Sequence, residues 1–175
     1  MCPGVASGQD GTVTFLPEAL YAQIEQSIPI VAVDFVPLDA VTARIGLILR
    51  ESPFGRVWCH LGGRVLYGET IEAALRRQAQ ITLGVDARLD RDPQPDYVYQ
   101  WFPPAVAPID GTPHGDDPRK HSIGLAFIVE LVGEPQQAGE ALDFAYFDVK
   151  ELPEPLWPGT RHVVEALSEA VGLRP

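Results

Sequence analysis

The chain has 175 residues, 46% hydrophobic and 21% charged, enough for one domain with a full apolar core. A net charge of −11 argues against a nucleic-acid partner, because a phosphate backbone demands a basic footprint. Two cysteines make no disulfide framework, and no apolar run reaches the roughly 18 residues of a membrane span, so the expectation is a cytoplasmic protein without membrane contact.

Residues 1–13 are small and aperiodic and predict a flexible N-terminal arm before a single domain over 14–175. Pro17 to Gln26 predicts a short helix, with Leu20, Ile24 and Ile28 four apart and Pro29 as its stop. Ile30 to Val36 predicts a strand whose apolar run is interrupted by Asp34. Two readings of Asp34 stand: an edge or solvent-side carboxylate, or one that faces a ligand. Ala43 to Arg50 and Arg56 to Leu61 predict two more strands around a Pro53–Gly55 turn. Within the latter, Cys59 reads as a small buried residue, and His60 as a packed or surface strand residue without a metal-spaced partner.

The chain then passes Gly62-Gly63-Arg64-Val65 and Gly68-Glu69-Thr70 into a helix striped by Ile71, Leu75, Ala79 and Leu83. Thr70 is placed as its N-cap and Gly84 as its left-handed C-terminal residue. A glycine turn feeding a helix N-terminus offers N–H groups and a positive dipole end to an anion. Asp86 to Pro95 reads as a loop, and Asp96 to Phe102 as an aromatic strand, either core packing or a wall for a base or sugar. Pro103 to Lys120 is a long irregular segment of the kind that forms functional lids or mobile segments. His121 to Val132 predicts a central strand, Phe144 to Val149 another, and Thr160 to Val171 a closing helix.

Gly63, five residues, Glu69, seven residues, Arg77, then Gly84-Val85 resembles the box of the Nudix hydrolases. Beyond the box, from Phe15 to the last helix, the sequence is similar to the GDP-mannose mannosyl hydrolase branch, through Asp34-Phe35, Gly62-Gly63-Arg64-Val65, Glu69-Thr70 and Glu72-Ala73-Ala74. The resemblance implies an α/β fold, the Nudix-type α/β/α sandwich with a mixed β-sheet, and a homodimer. It implies a nucleoside diphosphate sugar, GDP-mannose-like, or a related nucleoside diphosphate derivative as substrate, with Mg2+ as cofactor. By position it sets Arg64 and Arg77 on the diphosphate, Asp34 near the nucleotide or sugar, His121 at the substrate and the Gly62 carbonyl on the metal. Glu69 would support the loop through an ion pair to Arg77.

The three box glutamates fall on Gln78, Ile81 and Thr82, which keep part of a polar face and remove its charge. Magnesium wants hard oxygen ligands, usually including carboxylates. The general-base histidine of the branch aligns near Leu142, leaving Asp34, Glu140 and Asp143 as candidate catalytic carboxylates. Two functions follow: a divergent hydrolase with relocated acids, or a catalytically inactive Nudix-fold domain that binds a nucleotide-type ligand or a partner as a sensor.

Overall fold

The computed structural model describes residues 16–89 and 92–172; the arm expected over 1–13 lies outside them. The first helix, α1, is Glu18–Glu25 and buries none of its residues. Strand β1 (Ile30–Asp39) is the spine of the sheet. It pairs in parallel with β8 (Ser122–Val132), and antiparallel with β2 (Arg44–Ser52) and β4 (Leu61–Arg64). β2 carries β9 (Asp143–Phe147) on the edge away from β1, and β3 (Gly55–Cys59) farther along the edge that β1 uses; β8 continues to β6 (Tyr97–Phe102) and the short β7 (Gly115–Asp116). The architecture is an α/β fold around a mixed sheet.

Two expected turns are strands. Gly62 and Gly63 do not form a turn: they belong to β4, opposite Asp34 and Val33 of β1. The reason is steric, since a Cβ on Gly62 would collide with the Val33 carbonyl and the Asp34 carboxylate. The expected loop after the box helix begins with strand β5 (Asp86–Arg88), whose Ala87 is buried against β8. The strand expected to run to Val149 ends at Phe147 and is followed by a 3-10 turn at Val149–Glu151.

Helix α2 (Ile71–Leu83) has the expected termini. Thr70 accepts a hydrogen bond from the Ala73 N–H, and Gly84 adopts φ 68°, where a side chain is strained. Leu75, Ala79 and Leu83 are fully buried, Ile71 half-buried. Alternation along β1 puts Val33 and Asp34 on opposite faces. Helix α2 packs on the Val33 face; α3 (Thr160–Ala170) packs on the Asp34 face through His162, which stacks on Tyr99.

Candidate functional site

The Asp34 face carries a cleft of about 220 Å³. Its floor comes from the central strands: Ala32 and Asp34 of β1, Gly62, Gly63 and Arg64 of β4, Ser122 of β8 and Trp101 of β6. Its walls come from Arg50 at the end of β2, His60, Asp117, Arg119 and Lys120 from the end of the long loop, Glu140, and Trp157.

Asp34 is neither at an edge nor on the solvent side. It is 7% exposed, in the central strand, with its carboxylate aimed into the cleft. Gly62 and Gly124 clear the space around it, because a Cβ on either would run into one of its oxygens. One oxygen accepts from the Trp101 indole N–H at 3.3 Å; the other faces the His60 Nε2 at 3.5 Å. His60 stacks on Trp101 with ring centroids 5.1 Å apart, and its Nδ1 is buried without a hydrogen-bond partner. A carboxylate offers about four lone-pair sites, so Asp34 keeps acceptor capacity for a donor that enters the cleft.

The second feature is cationic. Four cations, Arg50, Arg64, Arg119 and Lys120, line the cleft against three carboxylates, Asp34, Asp117 and Glu140. Arg119 forks onto Asp117 at 2.8 and 2.9 Å, and Arg50 meets Glu140 at 2.7 Å. Both guanidiniums lie over Trp157, at 5.1 and 5.7 Å from its ring centre. Backbone ties hold these loops in place: Asp117 N–H donates to Phe102, Asp116 N–H to Pro158, and the Trp157 indole to Asp116. The stretch before Glu140 is pinned to the end of α2, where Gln136 and Ala138 donate to the Leu83 and Thr82 carbonyls. Those carbonyls belong to the last turn of α2, which leaves them without helical partners.

The hydrogen bond to Asp117 holds the Arg119 guanidinium above its ordinary range, and the charges of Asp117, Glu140 and Glu25 add to this. Cys59 lies at the base of the cleft, and burial pushes its thiol up to about 12, so it offers no thiolate nucleophile.

The other predicted site residues sit elsewhere. Arg77 does not line the cleft: on the α2 side of the sheet it forks onto Glu69 at 2.7 and 2.9 Å and donates to the Arg64 carbonyl. Glu69 in turn accepts from the Leu66 N–H, so this pair closes the loop into α2. His121 precedes Ser122, which takes the cleft face, and stacks instead on Phe102 at 4.2 Å; burial lowers its basicity. Asp143 accepts from Gln137 and from the Phe144 N–H outside the cleft lining. Glu140, Arg64 and Gly62 do line it.

The box face does not fit a magnesium centre. Gln78 is buried and fills the space beside Gly63, where a Cβ would strike its amide. Thr82 is 2% exposed and Ile81 faces outward. Among the described residues, no three His, Cys, Asp or Glu side chains gather as a metal site. Without carboxylates on that helical turn, the hard anionic donors that magnesium prefers are missing there.

Sequence reasoning missed Arg50, Arg119, Lys120 and Trp157 and read His60 as packing. The advance signal for Arg119 and Lys120 was the long loop over 103–120, which they end; Arg50 and Trp157 had none.

A mixed sheet with α2 on one face and an open, polar cleft on the other is the fold of the Nudix hydrolases. A solved structure described as a possible asymmetric diadenosine tetraphosphate (Ap4A) hydrolase from Jonesia denitrificans matches with a TM-score of 0.73 and 27% identity, over 85% of this chain and 98% of that one. A MutT NUDIX hydrolase from Burkholderia pseudomallei matches with a TM-score of 0.63 and 22% identity, over 81% and 99% of the two chains. An ADP-ribose pyrophosphatase from Methanocaldococcus jannaschii is 26% identical over 124 residues, 68% of this chain and 64%, less than two thirds, of that relative. The chain itself belongs to the family described as Domain of unknown function (DUF4916), whose model matches residues 12–166. Among the described residues, no helix is long and apolar enough to cross a membrane.

Proposed function

We propose that this protein binds a nucleoside diphosphate derivative in the Asp34 cleft, as a Nudix-fold receptor whose box has lost its metal-binding carboxylates. The observation that carries this reading is the cation-rich cleft in a chain of net charge −11. Guanidinium forks match phosphate oxygens and stay charged, so Arg50, Arg64, Arg119 and Lys120 are the groups for the diphosphate. Asp34 is the acceptor for hydroxyls or N–H groups of the attached sugar or base, with Trp101 and His60 stacked as an apolar wall. The relatives named for Ap4A and ADP-ribose point to the same class of ligand, and a GDP-mannose-like nucleotide sugar is one member of it.

Hydrolysis is the second reading, and the Asp34–His60 pair favours it. A histidine whose Nε2 lies 3.5 Å from a carboxylate beside the cleft has the position of a general base for an attacking water, a role worth roughly two to four orders of magnitude. The single-domain and homodimer expectations belong with this proposal; sedimentation of the full chain measures the state.

The test is calorimetric titration with ADP-ribose, GDP-mannose, GDP and diadenosine tetraphosphate, each with magnesium and with chelator, followed by product analysis. Binding without magnesium and without products is the expected result. Magnesium-dependent turnover would replace the receptor by the hydrolase.

A further inference from the structure

The helix α1 buries none of its residues, yet it does not stand apart from the cleft. The Tyr21 ring lies 3.8 Å from the Arg64 guanidinium carbon, and the Lys120 ammonium approaches the Tyr21 hydroxyl at 3.5 Å. Both cations line the cleft. The helix is also acidic, with Glu18 and Glu25 and no Lys or Arg over Glu18–Glu25. An aromatic face and a phenol hydroxyl therefore engage two of the groups that a phosphate would seek.

We propose that α1 is a displaceable strap: Tyr21 holds Arg64 and Lys120 in the absence of ligand, and the anionic part of a nucleoside diphosphate derivative takes these cations from α1 as it binds. The inference rests on the proposed phosphate-binding role of the cleft. The contacts permit the exchange, because a Tyr–Arg stack at a surface is worth little and a phosphate offers the guanidinium a stronger, charge-assisted partner. Nothing in the core is disturbed when α1 leaves, since none of its side chains is buried.

The experiment titrates ADP-ribose and inorganic pyrophosphate into the full chain and into Tyr21→Ala, Tyr21→Phe and Arg119→Ala, with hydrogen exchange followed over 18–25. Tyr21→Ala is expected to bind about fivefold more tightly, the equivalent of one surface cation–π contact. Tyr21→Phe, which keeps the ring and loses the hydroxyl, should fall between it and the parent. Exchange over 18–25 should speed up in Tyr21→Ala without ligand, and in the parent on saturation. Unchanged or weaker binding by Tyr21→Ala, with Arg119→Ala weakened, overturns the strap and leaves the phosphate site standing. Unchanged binding by Arg119→Ala, or no binding by the parent and Tyr21→Ala alike, overturns the phosphate site and the strap with it.

Discussion

Arg119 is fixed before any ligand arrives. Its fork is spent on Asp117, which is itself buried, and its flat face lies on Trp157. Arg119→Lys keeps the charge but loses both the fork and the stack. It is expected to weaken binding of a nucleoside diphosphate by about tenfold or more, since a hydrogen bond to a charged group is worth roughly 1.5–3 kcal/mol; titration against the parent measures it. Arg77 tells a different story at the same scale. Its partner Glu69 has an 8% exposed side chain, so Arg77→Ala leaves a nearly buried carboxylate unpaired. The expected cost is about 3–5 kcal/mol in denaturant unfolding, with far less effect on ligand affinity in the fraction that stays folded. The pH dependence follows from the same pair. Burial pushes the Glu69 carboxyl up, but the Arg77 hydrogen bond, the Leu66 N–H and the Arg77 charge together leave it below its ordinary value of 4.5. A lowered carboxylate stabilises the fold above the unfolded value, and that stabilisation is lost as pH falls from 4.5 through the lower folded value. Acid unfolding of the parent and of Glu69→Gln should therefore converge below that window.

Elements position the cleft through their ends and their glycines. The Thr70 cap starts α2 where the loop closed by Glu69 and Arg77 delivers it. Thr70→Ala should cost about 1 kcal/mol in thermal or denaturant unfolding, without changing the site. Gly62 is less forgiving, because an added Cβ there meets the Val33 carbonyl in the backbone of the neighbouring strand. Gly62→Ala should destabilise by roughly 1–3 kcal/mol, the range for overpacking, and displace Asp34; a variant that is fully stable and binds normally would show that β1 and β4 can separate at no cost. Gln78 explains why the same helix no longer builds a metal site. The amide lies where Gly63 leaves room, so the box face is packed rather than open.

At the scale of the molecule, a net charge of −11 surrounds a cleft in which cations outnumber carboxylates. The general field repels a polyphosphate while the cleft attracts it, so affinity is governed at short range. Between 0.05 and 0.5 M salt, where the Debye length falls from above about 10 Å to below about 8 Å, affinity for ADP-ribose should drop only modestly. Chelator should leave it unchanged, in keeping with the missing carboxylates on α2. Titrations across salt, with and without chelator, check both.

The box helix, its cap and C-terminal glycine, the Glu69–Arg77 pair of the box and the strands β1, β2, β3, β6, β8 and β9 were legible in the sequence, because each rests on local spacing or on residues a few positions apart; β4, β5 and β7 were read as turn or loop. The cleft was only partly legible. Asp34 stood out as a charge in an apolar strand, but its burial depends on Gly62 and Gly124, which reach it only through pairing of β1 with β4 and packing beside β8. Arg50, Arg119, Glu140 and Trp157 come from four separate segments, and no periodicity links them. His121 and Ser122 differ by one position, and strand alternation alone decided which of them faces the ligand side. The sequence by itself determined the local elements and the loss of the box carboxylates, because hydrophobic period, capping chemistry and side-chain charge are properties of neighbours in the chain. Only the tertiary structure decided which charges share the cleft and that Tyr21 of α1 meets two of its cations, because those contacts join residues as far apart as Tyr21 and Lys120.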